Sequence, residues 1–231
     1  MQTKTIKLID GSVYSINLTT EELINHFNDG RNFTDVILHQ FNELSWYSKY
    51  LTPDDKIILD LGSNIGLFSI HASPWADLII AVEPTPAHMV LNKQLTSNFD
   101  NIIRYQAAIS NSVGEMPFYT SYGNTTMNSL IDRGENKFIV ETLSVLDIIK
   151  KFNLDHVDFI KMDIEGSEVI ALNDIIIEQL SKYASKILIE FHEVNGIGYS
   201  EHRNNYESIF QKYGYETTHF GPDGLFCIKK I

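Results

Sequence analysis

The sequence predicts an α/β fold: a mostly parallel sheet flanked by helices, closed by a C-terminal hairpin that adds one antiparallel strand. Three observations lead there. From residue 56 onward, apolar strand-like runs alternate with helical stretches, the pattern of βα units joined by right-handed crossovers. At the end of the first such run, Asp60-Leu61-Gly62-Ser63-Asn64-Ile65-Gly66 sets a carboxylate and two glycines where the chain must turn. Two further strand-like segments bracket Pro222-Asp223-Gly224 after the last helical stretch. A chain of 231 residues, 43% of them apolar, is long enough for one such domain with a full core.

Each element has a local reason. Residues 4–18 alternate in polarity on either side of Asp10-Gly11, a strong short-range hairpin signal. Residues 20 to about 50 read as helical, with Thr19-Thr20-Glu21-Glu22 as cap and acidic first turn and Asp29-Gly30 as a break. We expect residues 1–50 to form a hairpin and helical extension packed on a core of residues 51–231, a single compact domain overall. Strands are expected over 56–61, 78–82, 102–107, 157–163 and 186–191. Helices are expected over 66–73, 85–97, 144–152 and 167–183. Val169, Leu172, Ile176, Leu180 and Tyr183 give the last one an apolar stripe. Residues 114–142 read as a β excursion. A helix over 200–212 and strands over 215–220 and 225–230 complete the pattern.

Composition excludes several functions. No apolar run approaches the ~18 residues of a membrane span. The first residues carry no apolar core with a small-residue cleavage site, so no secretory leader is expected. Cys227 is the only cysteine, which rules out an internal disulfide or a cysteine-based zinc site and suggests a cytoplasmic setting. A formal net charge of −12 argues against an extended nucleic-acid surface.

The glycine turn carries the first functional signal. Ligands of open α/β sheets lie beyond the carboxyl ends of the strands, where a glycine lets the backbone approach them. The order here is Gly-x-Asn-x-Gly, lacking both the dinucleotide Gly-x-Gly-x-x-Gly and the phosphate-binding Gly-Lys-Ser/Thr. Asp60, aimed at that mouth, would repel a pyrophosphate and attract a cation. S-adenosylmethionine carries an ammonium and a sulfonium and no phosphate; the plain alternative is a tight βα turn without a ligand. Glu83, in Ala81-Val82-Glu83-Pro84, ends the next strand about twenty residues on, where an acidic residue accepts bonds from ribose hydroxyls. Alone it would read as a solvated charge. Gln106 or the backbone at Ala108, at the end of the third strand, could meet the base.

The remaining signals are charges in strands that ought to be apolar. Lys161 and Asp163 share one face of their strand, as Glu190 and His192 share one of the next. The simplest register sets Lys161 beside Glu190 as an architectural ion pair and Asp163 beside His192 at the site mouth. Glu165 is balanced between a chemical role and offsetting the helix dipole, and Glu168 reads as a dipole partner.

These stretches together resemble the FkbM family of S-adenosylmethionine-dependent methyltransferases. "LDLGSNIGLFS", "AVEPTP", "NSL", "LSVLDII", "VDFIKMDIEGSE" and "ILIEFHE" stand in the family's order over roughly residues 55 to 195. The resemblance implies the seven-stranded Rossmann-like sheet of class I methyltransferases. It puts Gly62, Ser63, Asn64 and Gly66 on the cofactor turn, Glu83 at the ribose, and Asp163 beside the methionine moiety and the acceptor. It implies methyl transfer to a hydroxyl of a small molecule such as a sugar or polyketide. His192 is the leading base, since a pKa of ~6.5 suits neutral pH, with Asp163 orienting it and Glu165 nearby. A metal-assisted variant would use Asp163, Glu190 and His192 to hold magnesium or manganese. Competing readings are a nicotinamide-dependent oxidoreductase on the same sheet and a non-catalytic S-adenosylmethionine-binding domain. The polar run Asn124-Thr125-Thr126-Met127-Asn128-Ser129 is expected in a mobile loop over the pocket.

Overall fold

The computed structural model describes residues 2–18, 44, 46–120, 127–132 and 136–230. Asp10-Gly11 turns the chain as expected: β1 (Gln2–Lys7) and β2 (Val13–Leu18) pair antiparallel, with Gly11 in the left-handed region at φ 89°. The helical stretch expected over 20–50 falls outside the described residues except for Leu44, Trp46 and Tyr47, which are helical, and Ser48, Lys49 and Tyr50, which form a turn.

From residue 57 the βα alternation takes over. β3 (Ile57–Leu61) leads through the glycine turn to α1 (Leu67–Ala72), and β4 (Leu78–Val82) leads to α2 (Pro86–Leu95) and β5 (Ile102–Tyr105). Next, β6 (Ala108–Ile109), β7 (Gly114–Tyr119) and β8 (Lys137–Leu143) form a separate three-stranded sheet with β8 central. The strand expected over 102–107 is thus two: β5 stays in the main sheet, and Ala108-Ile109 crosses to pair with Thr142-Leu143. After α3 (Val145–Lys151), opened by a capping box between Ser144 and Asp147, comes β9 (Val157–Met162).

The helix expected over 167–183 is also two, α4 (Glu168–Ala171) and α5 (Asp174–Leu180). Leu172 is extended between them, and Asn173 starts the second helix by accepting a bond from the Ile176 N–H at 2.9 Å. An Asn-Asp pair supplies a cap and an acidic first turn, and it overrides an apolar stripe that runs on unbroken. β10 (Ala184–Glu190), α6 (Tyr199–Lys212), β11 (Tyr215–Phe220) and β12 (Gly224–Lys229) complete the order.

The main sheet runs β5-β4-β3-β9-β10-β12-β11, with β12 antiparallel to both neighbours and the other pairings parallel. Alternate residues divide its two faces. Leu59, Leu61, Ile160, Met162, Ile187 and Ile189 pack under α3, α5 and α6, whereas Ile58, Ile79, Phe159 and Leu188 pack under α1 and α2. The second face also takes Leu8, Leu44 and Tyr47 from the N-terminal segment, and Tyr14 meets Phe99 edge to face. Chain order reverses between β3 and β9, so a crevice opens beyond their carboxyl ends. Every motif of interest gathers there.

Candidate active site

The turn after β3 is held from three sides. The Gly62 and Ser63 N–H groups donate to the Val82 carbonyl at 3.0 and 2.9 Å, tying the turn to β4. Asn92 of α2 donates to Ser63 Oγ at 3.1 Å and to the Asn64 carbonyl at 3.0 Å. Gly62 (φ 79°) lies so close to β9 that an added Cβ would overlap the Asp163 carbonyl. Asn64 is also left-handed (φ 48°), and so is Gly66, at the N-terminus of α1. The turn is therefore built to bring bare backbone up to whatever occupies the crevice.

Glu83 reaches this turn directly. Its carboxylate accepts from the Asn64 N–H at 3.0 Å and the Thr85 N–H at 2.8 Å, with His88 Nδ1 3.2 Å away. Burial works against its charge, but His88 and the Thr85 bonds outweigh it and hold the pKa below the usual range. An ionised acceptor at the tip of β4 is what a ribose diol requires. Gln106 is exposed past the end of β5, and Ala108 is buried at the start of β6.

Asp60 differs from expectation. It is fully enclosed beneath the turn, where Ser69 Oγ donates to Oδ2 at 2.6 Å and Lys161 Nζ stands 3.8 Å from Oδ1. The cation it faces is Lys161, and burial raises its pKa despite that neighbour. The carboxylates lining the mouth, Asp163 and Glu165, come instead from the loop after β9.

The register of β9 and β10 also corrects the sequence reading. Lys161 lies opposite Leu188 on β10 and Asp60 on β3, so Glu190 is not its partner. Its ammonium sits 3.3 Å from Asp163 Oδ2 and donates to the Gly62 carbonyl at 2.9 Å. Burial disfavours that charge, but Asp163 and Asp60 more than offset it and raise the pKa. Glu190 accepts from the Tyr47 hydroxyl at 2.8 Å, and burial with Asp163 nearby pushes its pKa up to about 8. The metal set Asp163, Glu190 and His192 is displaced accordingly: among the described residues, the ligand atoms that converge are those of Asp163, Glu165 and His192.

His192 lies at the centre of an acidic ring. Nε2 is 3.8 Å from Asp163 Oδ1 and 3.4 Å from Glu165 Oε2, and Nδ1 is 3.4 Å from Glu168 Oε1. Burial opposes its protonation, yet Glu168, Glu165 and Asp163 prevail and raise its pKa to about 11. Asp163 and His192 do meet, but the imidazole rests protonated. Glu165 holds φ 57°, a conformation uncommon outside glycine, followed by Gly166 at φ 95°.

Sequence reasoning missed two residues. Glu168 is completely buried and accepts from the Ile164 N–H at 2.8 Å, closing the loop that carries Asp163 and Glu165. Its place in Lys-x-Asp-x-Glu-Gly-x-Glu was the available signal. Tyr47 lay in a helical segment with nothing to single it out. The loop expected to be mobile is docked at its far end: Asn128 and Ser129 are buried, and the Leu130 N–H donates to Ser167 Oγ at 3.1 Å. Residues 121–126 lie outside the described set.

The sheet order and the glycine turn define a class I S-adenosylmethionine-dependent methyltransferase fold. Magnesium protoporphyrin IX methyltransferase from Synechocystis PCC 6803, solved with bound SAM, shares it at a TM-score of 0.51 and 10% identity, over 91% of this chain and 90% of that one. Methyltransferase sdnD of Sordaria araneosa is 27% identical over 203 residues, 72% of this chain and 76% of its own. The methyltransferase FkbM of Methylobacillus flagellatus KT aligns at a TM-score of 0.49 and 16% identity, over 90% of this chain and 58% of that one, so this chain spans less than two thirds of that protein. The family described as the methyltransferase FkbM domain matches residues 60–217, and this chain belongs to it.

Proposed function

We propose that the protein transfers the methyl group of S-adenosylmethionine to a hydroxyl of a small molecule or saccharide. The observation that carries this reading is the cluster of Asp163, Glu165 and His192 at the tips of β9 and β10, one strand from the donor turn. In this reading Gly62, Ser63, Asn64 and Gly66 cradle the methionine end of the donor. Glu83 accepts from the ribose hydroxyls, and Gln106 and the Ala108 backbone edge the adenine.

The acceptor oxygen attacks the methyl carbon in line, the carbon–sulfur bond breaks, and the donor leaves as a thioether. The hydroxyl proton goes to a carboxylate, Asp163 by position. His192 is the other half of this pair: ringed by carboxylates, it carries the proton that keeps them oriented. Alignment of the reactants is the larger contribution, up to ~7–11 kcal/mol, and the base adds roughly 10²–10⁴-fold.

Methyl-labelled donor incubated with the protein and a small-metabolite extract should place label in an alkali-stable ether. Label recovered only in amines, or in no acceptor, overturns the reading. His192→Ala should cut turnover at least ~100-fold and leave donor affinity within a few-fold. Equal losses of both would make His192 structural.

A further inference from the structure

We propose that Asp163, Glu165 and His192 form a divalent-cation site at the mouth of the crevice, with Glu168 holding the imidazole in its ligating orientation. One ligand atom from each of the three lies within 4.8 Å of the others. His192 Nε2 stands 3.4 Å from Glu165 Oε2 and 3.8 Å from Asp163 Oδ1. An octahedral ion bound at about 2.0–2.1 Å separates adjacent ligand atoms by roughly 3.0 Å and opposite ones by roughly 4.2 Å. The two observed spacings lie between those values, so the ligands would draw together by less than about 1 Å on binding an ion.

A second observation lies behind the imidazole. Glu168 is fully buried, with Oε1 3.4 Å from His192 Nδ1 and Oε2 enclosed without a hydrogen-bond partner. A carboxylate on the far nitrogen is how ligating histidines are commonly held: it fixes the tautomer and makes the facing nitrogen more basic. Lys161 is committed on the other side of Asp163. Its ammonium is engaged by Asp163 Oδ2, Asp60 and the Gly62 carbonyl, which leaves Asp163 Oδ1 turned toward His192.

Two carboxylate oxygens and one imidazole nitrogen, Nε2 once the ion has displaced the proton it otherwise carries, suit magnesium or manganese, which keep several positions for water or a bound oxygen. The use of the ion rests on the methyl-transfer reading: it would take the acceptor hydroxyl into its shell and lower that group's pKa. Its binding does not rest on that reading and can be measured with neither donor nor acceptor present.

The test is titration of the chelator-treated full chain with Mn²⁺, followed by the loss of the free-ion paramagnetic resonance signal. The expected result is one saturable site, weakened at least tenfold by Glu165→Gln and by Glu168→Gln. Glu207→Gln, which removes the partner of His219 at a separate surface histidine–carboxylate pair, should leave that site unchanged. A thermal melt followed by circular dichroism checks that the variants are folded. No saturable binding to the unsubstituted chain up to millimolar Mn²⁺ overturns the proposal whatever the variants do. Displacement of Mn²⁺ by saturating donor overturns it too, because the cluster would then serve the donor's own positive charge.

Discussion

At the scale of single residues, Gly62 is the most tightly specified position. Its left-handed φ disfavours any side chain, and a methyl group there would collide with the Asp163 backbone. Gly62→Ala should therefore separate β3 from β9 at the crevice. We expect a loss of at least about 2 kcal/mol, read in a thermal melt as a fall of roughly 4–8 °C, together with loss of donor heat in calorimetry. Its glycine was legible because few residues can occupy a tight turn at a strand tip. The side-chain partnerships were not. Parity along a strand showed that Lys161 and Asp163 share a face, and so do Glu190 and His192, but a period of two cannot tell one register from another two residues away. Lys161 consequently found Asp60 rather than Glu190. The sequence points Asp60 at a ligand because nothing local shows that a lysine on β9, six strands later in the chain, lies opposite it.

At the scale of elements, apolar runs identified β3, β4, β9 and β10 to within two residues, because strands covered on both faces have nowhere to place polar groups. The excursion of β6 to a second sheet and the break between α4 and α5 were hidden by continuity of that same apolar signal. Asn173 makes the break: its side chain caps α5, and the turn lets α4 carry Glu168 inward beneath His192. Asn173→Ala should cost about 1 kcal/mol, a fall of roughly 2–4 °C in the melting temperature. An unchanged melt would mean that the apolar stripe alone sets the helix. Tyr47 illustrates a different limit. It reaches Glu190 across more than a hundred residues of chain, a contact that only the assembled fold creates.

At the scale of the whole molecule, the two-faced sheet leaves a switch point between β3 and β9, and the glycine turn, the acidic ring and the docked end of the 127–132 segment all converge on it. A ligand that binds there and not to the unfolded chain must stabilise the fold by mass action. S-adenosylmethionine at about a hundred times its dissociation constant should add about 2.7 kcal/mol and raise the melting temperature by roughly 5–11 °C. NADH at the same concentration should leave it where it was. A net charge of −12 suits the cationic donor proposed for the acidic crevice. Among the described residues, no helix is long and apolar enough to cross a membrane.

The position of β12 bears on how the chain reaches this state. It lies between β10 and β11, yet it is the last of the three to be synthesised. Until it leaves the ribosome, the Ile187–Ile189 edge of β10 has no neighbour on that side, and at about 5–20 residues per second that interval lasts seconds. A nascent chain stalled after Lys212 would expose an unpaired apolar edge, a ready template for pairing with another chain and for aggregation.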